Sequence, residues 1–519
     1  MKNLCLLLAL IVLTSCVSVK KHNERLEKPI APEKLRKDTD FAYAKLKKLH
    51  PELYRYTGKE KMDKKFDSLK ATIQQPMKSA EFYTKLAPVI AEVREGHLRL
   101  VPPEKMLTKK EIKKLKNQKG LLGRMNYVID SNRIFVKDNR DKFENIKVGT
   151  EILSIKGIPV KNYLDRYQNF VNSDGYNTTF QKYSMARRWT SFFTIENGIL
   201  DSVEISTRYR NETKTFYIHR EIQTKKEQKE EKKQIAVIKK DETKKTKDYN
   251  PALRDFNRDL QFLSADSSIA YMKIKTFSGT YSRKFYKESF AQLQKTKSKY
   301  LILDIRDNLG GSLSEIHNLY SYLSPEEFQF LKDIEVTSRT SMLHANYFSD
   351  FSTITQPIAV IGYPLYFIGT MLSTKKKDGK IYLKNNNAFT LKKPKKTVFK
   401  GEIYVLVNGS SFSASSIISS KLKNDKIALI VGEETGGAND GTVAGRYSSQ
   451  KLPNSKMYLP IGLMLIQPEI NFSHTQKGVI PDMEIIPSLN DVLEKKDIQL
   501  KWVMDDIEKK GKLSSRTLQ

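Results

Sequence analysis

The stretch VLVNGSSFSASSIISS occupies residues 405–420 and sets seven serines within sixteen positions. By composition it could be a linker, but its neighbours argue otherwise. GEIYVLVN (401–408) is a nearly unbroken apolar run, as a strand covered on both faces should be. SASSIISSKLK (413–423) then repeats apolar residues at helical spacing, and IALIVGE (427–433) is another apolar run. Upstream, SIAYMKI (268–274), the helical SRKFYKESFAQLQKT (282–296), YLILDI (300–305) and the helical LSEIHNLYSYL (313–323) keep the same rhythm. Strand–helix alternation predicts an α/β domain with a largely parallel sheet. It places the serine run at the carboxyl end of a buried strand and the start of a helix, where open α/β sheets hold ligands and unpaired N–H groups carry partial positive charge. Residues 326–400 break the rhythm and are expected to be an insertion of strands and loops.

The chain before this domain has two other textures. DFAYAKLKKLHPELYRY (40–56) and SAEFYTKLAPVIAEVREG (79–96) place apolar residues three and four apart, so 33–95 is expected to be helical. The second helix is expected to stop at Gly96, in the left-handed position past its end, with His97 directly after. NYVIDSNRIFVKD (126–138) alternates like a hairpin, and GTEILSIKGIPVKNYLDRY (149–167) reads strand, Lys-Gly turn, short strand, helix. This second segment resembles the latter half of a PDZ domain, a fold that binds an extended chain at a sheet edge. The expected divisions are a signal peptide at 1–16, a tether at 17–32, a helical region at 33–110 and a PDZ-like domain at 111–220. A charged linker at 221–250, the α/β domain at 251–495 and a tail at 496–519 complete the chain.

Bulk properties narrow the function classes. With 519 residues, 39% of them hydrophobic, the chain can bury a large core, yet its formal net charge is +32. The lysines are spread along the whole length, and the densest run (225–248) mixes them with acidic residues, which argues against nucleic acid and for a solvated basic surface with affinity for anionic membrane. The two cysteines, Cys5 and Cys16, lie at the start, so the body holds no disulfide framework and no thiolate metal site. His22, His50, His97, His219, His317, His344 and His474 form no close ligand pair, and no metal or cofactor is expected. MKNLCLLLALIVLTSC has a lysine, a short apolar run and small residues before Cys16, the layout of a secretory signal. Its ending resembles a bacterial lipobox, which implies lipidation of Cys16 and anchoring in the bacterial cell envelope, on a periplasmic or extracellular face.

Four motifs in order resemble the tail-specific (carboxyl-terminal processing) serine proteases, whose relatives include the tricorn core protease and the retinoid-binding protein repeats. YLILDIRDNLGGS (300–312) is similar to the family's DLRxNxGG, and residues 405–437 to its VLVNxxSASASEI…VVGExTxG. KGVIPDMEI (477–485) is similar to GVxPDxEV, and AEVREGHLRL (91–100) to the DGHT segment of the tricorn-like branch. The resemblance implies a ClpP/crotonase-like catalytic domain acting on peptide or protein substrates without a cofactor, with Ser413 as nucleophile. It implies an oxyanion hole from the amide of Ala414 and the glycine pair Gly310–Gly311. The lysine that many members use as base is replaced by Ala438, and Lys421 lies about 12 Å along the helix from Ser413. His97 then takes the role, as in the tricorn-like branch, with an imidazole suited to it. Its orienting partner stays open. The branch's glutamate position is Thr475; Glu433, a threonine hydroxyl or a backbone carbonyl are the alternatives.

Two further readings compete with the peptidase. Ala438, Thr475 and Ser416, which stands in place of a family glutamate, suit a catalytically silent peptide- or partner-binding lipoprotein. The charge alone suits a protein that binds anionic polymer or membrane. Oligomeric state is not readable from the sequence.

Overall fold

The computed structural model describes residues 18–517, apart from 117, 119, 140–142, 144, 222–247, 252–254, 346, 348–355, 385–389 and 472–475. The segment bearing Cys16, most of the charged stretch and Thr475 therefore lie outside the described residues.

Helix Val19–Glu27 occupies the expected tether, and Pro32–Leu49, Lys59–Thr72 and Ser79–Ala91 build the helical region. Pro32 opens its helix, where a missing N–H costs nothing. Leu35, Ala42, Leu46 and Leu49 line one face of that helix and are buried with Met62, Phe66, Phe82, Leu86 and Ile90. The third helix does not reach Gly96. Its last turn tightens, with Val93 N–H donating to Ile90 O (3.2 Å) and Arg94 N–H to Ala91 O (2.9 Å). The left-handed residue is Arg94 (φ 58°), not Gly96.

Strands β1 (Met125–Asp130), β2 (Arg133–Asn139), β3 (Glu151–Ile155), β4 (Ile158–Pro159), β5 (Ser202–Tyr209) and β6 (Glu212–His219) form one antiparallel sheet, ordered β1-β2-β3-β5-β6 with β4 on β3. Ser131 and Asn132 both have positive φ, the two-residue hairpin turn whose twist matches its strands. Lys156 and Gly157 turn the chain into β4, and helix Val160–Tyr167 follows as the sequence pattern predicts. Helix Thr179–Asn197 was not foreseen; it buries Trp189 edge-on against Tyr127, ring centroids 4.9 Å apart.

After the short pair β7 (Tyr249–Asn250) and β8 (Asp255–Phe256) comes the α/β sheet. Its strands are β9 (Arg258–Phe262), β10 (Ile269–Ile274), β11 (Tyr300–Asp304), β15 (Glu402–Val407), β16 (Leu429–Gly432) and β19 (Met483–Glu484), ordered β19-β16-β15-β11-β10-β9. All neighbours run parallel except β9 with β10. Both faces are covered, which explains the unbroken apolar runs. Leu301, Leu303, Ile403, Val405 and Ile430 belong to the large core, while Ile302, Tyr404, Leu406 and Val431 pack under Val503 and Ile507 of helix Ile498–Thr517. The residues read as a tail thus seal one face of the sheet.

The insertion supplies strands β12 (Glu335–Val336), β13 (Thr374–Lys377) and β14 (Lys380–Leu383), which join the long hairpin β17 (Thr442–Lys451) and β18 (Tyr458–Ile466) in a second sheet. It is not strands and loops alone: helix Gln356–Leu372 lies within it.

Candidate active site

Pairing of Asp304 with Leu406 brings the carboxyl ends of β11 and β15 side by side, so the loops that leave them must touch. Phe412 N–H donates to Asn308 O (3.1 Å), Ser411 Oγ to Ile305 O (2.9 Å) and Ser415 Oγ to Asn308 O (2.8 Å). Asn308 closes the first loop on itself by accepting from Gly310 N–H (2.9 Å) and donating to Ile274 O (3.0 Å). Beneath it, Asp304 accepts from Lys273 (2.7 Å), Arg306 (2.7 Å) and Tyr271 (2.5 Å), and these cations hold its carboxyl far below the usual range against its burial.

The serine run now separates into structural and reactive members. Ser410 Oγ accepts from Arg187 (2.6 Å), and Ser416 Oγ bridges Ser411 O (2.8 Å) and Gly437 N–H (3.0 Å). Ser419 Oγ donates to Ser415 O (2.8 Å) and Ser420 Oγ to Asn439 O (2.5 Å). Ser413 alone presents its hydroxyl to a side chain that can take its proton: Oγ lies 3.1 Å from His97 Nε2. Its backbone is left-handed (φ 56°, ψ −117°), a costly conformation for serine that lifts the side chain off the start of helix Ala414–Asn424. Ser416, the departure from the family pattern, is a buried strut.

His97 reaches this point because the segment after the third helix is pinned to the second sheet. Val101 and Tyr458 exchange backbone hydrogen bonds of 2.8 Å, and Leu98 and Leu100 are buried. Gly96 is glycine for a reason other than a helix end. A Cβ there would lie 2.6 Å from Phe412 Cζ and 3.0 Å from Asp174 Oδ1. Phe412 in turn stacks on Phe180 and leans on the imidazole, with centroids 4.3 and 4.6 Å apart.

The other imidazole nitrogen answers the open question of the orienting partner. His97 Nδ1 lies 3.0 Å from Thr442 Oγ1, and that hydroxyl donates to Glu95 Oε1 at 2.7 Å. Because the threonine proton is directed to Glu95, its lone pair faces Nδ1. Nδ1 therefore carries the proton and Nε2 is bare toward Ser413. Glu95 Oε1 also accepts from Val443 N–H (2.9 Å), while Asp174 accepts from Gly96 N–H (2.6 Å) and Ala438 N–H (3.2 Å). Glu95 and Asp174 are both fully buried and hydrogen-bonded to each other; burial and the neighbouring carboxylate push Glu95 well above the usual range. Burial lowers the His97 pKa and Asp174 opposes that shift, so the resting imidazole is neutral. Glu95, His97 and Asp174 also place ligand atoms within 4.8 Å of one another, close enough for a cation, but each side chain is already engaged in the hydrogen bonds just described.

The remaining expected residues fall as follows. Ala414 N–H and Gly311 N–H find no acceptor among the described residues, whereas Gly310 N–H is tied to Asn308. Gly310 (φ 100°) is needed for close approach: a Cβ there would meet Ser413 Cβ and Ala414 N at 2.8 and 2.9 Å. Glu433 does not orient His97, because its carboxylate is taken by the Tyr183 hydroxyl. Lys421 pairs with Asp425 at 2.9 Å and serves no base role at Ser413. Glu95, Asp174 and Thr442 went unread in the sequence. The signals available were an acid two residues before His97 and an Asp-Gly turn, and neither is specific.

No curated protein matches the sequence. The model of peptidase family S41 matches residues 268–485. Among solved structures, mature CPAF is 16% identical, with a TM-score of 0.57 over 89% of this chain and 94% of that one. Mature CPAF complexed with lactacystin is also 16% identical and gives 0.60 over 92% and 98%. The photosystem II D1 C-terminal processing protease is 15% identical, at 0.42 over 88% and 96%. Through residues 268–485 the chain carries a peptidase family S41 domain, and it is a serine peptidase.

Proposed function

We propose that this peptidase is a cell-envelope endopeptidase that cleaves peptide bonds through an acyl-enzyme on Ser413, with His97 as general base. The observation that carries the reading is the 3.1 Å contact between His97 Nε2 and Ser413 Oγ, in a run whose other serines are tied into the fold. Nε2 accepts the Ser413 proton as Oγ attacks the substrate carbonyl, and the imidazolium returns that proton to the leaving amine as the C–N bond breaks. A water deprotonated by the same nitrogen then attacks the ester and frees Ser413. Ala414 N–H and Gly311 N–H, at the mouth of the two loops, are the donors offered to the oxyanion, with Gly310 giving the clearance.

Thr442 and the acid pair take the place of a carboxylate next to the imidazole. The Thr442 hydroxyl accepts from Nδ1–H, fixes the tautomer and passes the orientation to Glu95. Burial and the neighbouring Asp174 carboxylate raise Glu95 well above the usual range, so Glu95 is the member of the pair that holds a proton more readily, and the Asp174 charge favours the imidazolium formed in the reaction.

Anchoring in the envelope rests on the lipobox-like residues before Cys16, and capture of extended substrates on the PDZ-like pattern in β3, β4 and the helix that follows. Digestion of a peptide library, read by mass spectrometry beside Ser413→Ala and His97→Ala, tests the chemistry. Loss of cleavage in both variants is expected, and cleavage that survives in His97→Ala would place the base elsewhere. Lipid labelling in cells should vanish in Cys16→Ser.

A further inference from the structure

Helix Gln356–Leu372, QPIAVIGYPLYFIGTML, contains no charged residue and turns its greasy side outward. Its inner face rests on the body through Ala359, Tyr363, Tyr366 and Thr370. Tyr366 stacks on Tyr347 at 4.3 Å and donates to Met342 O at 2.8 Å. Outward, Ile358, Ile361, Leu365, Ile368 and Leu372 form one line at alternating steps of three and four, and Ile361 and Leu365 are 80% and 76% exposed. Val360 and Phe367 are also exposed and widen the apolar arc to about half the helix circumference at 3.6 residues per turn. So much contiguous exposed apolar surface marks a docking face.

Charge identifies what covers it. The helix runs directly into β13, where Lys376 and Lys377 are exposed with no ion pair among the described residues. His344 of the short turn against which the helix packs has its pKa lowered first by burial and then by the nearby charges of Lys48 and Lys45. We propose that this helix is an interfacial device that lies in the surface of an anionic lipid membrane, with its apolar arc among the acyl chains and the lysines at the headgroups. No helix among the described residues is long and apolar enough to cross a membrane, so the helix lies on the bilayer instead of spanning it. A second copy of the chain is the less fitting occupant. A helix–helix seam is narrow and flanked by charges of both signs, and two copies meeting here would bring like-charged lysines together. The inference does not depend on a lipid at Cys16.

The test is co-sedimentation of the chain beginning after Cys16 with vesicles of phosphatidylcholine alone or with added phosphatidylglycerol. Binding to the anionic vesicles is expected, weaker on neutral ones and weakened by salt. Ile361→Glu with Leu365→Glu should reduce it on the order of tenfold or more, while each of Lys376→Gln and Lys377→Gln should cost about fivefold. Thermal unfolding of each variant should show that the fold is kept, since these side chains are largely exposed. Equal sedimentation of the Ile361/Leu365 variant and its parent would overturn the proposal, as would no sedimentation at all. So would light scattering that shows a dimer which the same variant splits, because a second copy would then be the occupant.

Discussion

Thr442→Val removes one hydroxyl from a position that is 2% exposed and keeps the shape of the side chain, so it isolates the contact that aims His97. The wild-type hydroxyl accepts from Nδ1 at 3.0 Å and donates to Glu95 at 2.7 Å. In the variant Glu95 keeps Val443 N–H, but Nδ1–H has no acceptor when the imidazole becomes charged. A hydrogen bond to a charged group contributes about 1.5–3 kcal/mol. At 1.36 kcal/mol per factor of ten, kcat should fall by about ten- to 150-fold, with KM nearly unchanged because Thr442 lies behind the imidazole. Steady-state cleavage of a peptide found in the library digest measures it. Thr442→Ser, which restores the oxygen, should recover most of the rate. A Thr442→Val enzyme at wild-type kcat would refute the relay and leave His97 held by packing on Phe412 alone. Equal losses in Val and Ser variants would point to the methyl group and refute it as well.

Three further outcomes follow from the same geometry. If Glu95 is the protonated member of the acid pair, Glu95→Gln should stay within a few-fold of wild type and Glu95→Ala should lose activity as Thr442→Val does; equal losses in both would mean the ionised form is needed. Burial depresses the His97 pKa, so the neutral base persists to lower pH, and kcat/KM should reach half its plateau below the ordinary histidine value of about 6.5. A midpoint above that value would contradict it. His50 is buried with neither ring nitrogen hydrogen-bonded, and its pKa is pushed down to about 4. Between that value and the unfolded value of about 6.5 the unfolded chain binds the extra proton, so this group's stability contribution is complete above pH 6.5 and is lost as pH falls toward 4. Chemical denaturation across that window should show wild type losing stability more steeply than His50→Phe, and parallel slopes would exclude His50 as the source.

The α/β sheet was legible because its strands are covered on both faces, and burial on both sides leaves no polar alternation to confuse the pattern. Ser413 and His97 could be named through motifs, and the loops that join them follow from the parallel register of β11 and β15. The third partner was not legible. Thr442 stands at the start of a long hairpin strand, Glu95 in an irregular segment and Asp174 in a turn, and only tertiary packing brings three unrelated stretches to one nitrogen. Gly96 shows how a residue type can be right for the wrong reason: glycine there makes room for Phe412 and Asp174, not for a helix end. Helix Gln356–Leu372 was missed because it is apolar on nearly every side, which blurs the period, and because Gly362, Pro364 and Gly369 argue locally against a helix.

The central claim is that Ser413, activated by His97, is the one serine that forms a covalent bond with substrate. Treating the full chain with a fluorophosphonate and mapping the adduct by peptide mass spectrometry tests it most directly. A single adduct at Ser413 is predicted, absent in Ser413→Ala and formed far more slowly in His97→Ala. An adduct on another serine, or labelling of Ser413 at the same rate without His97, would contradict the account.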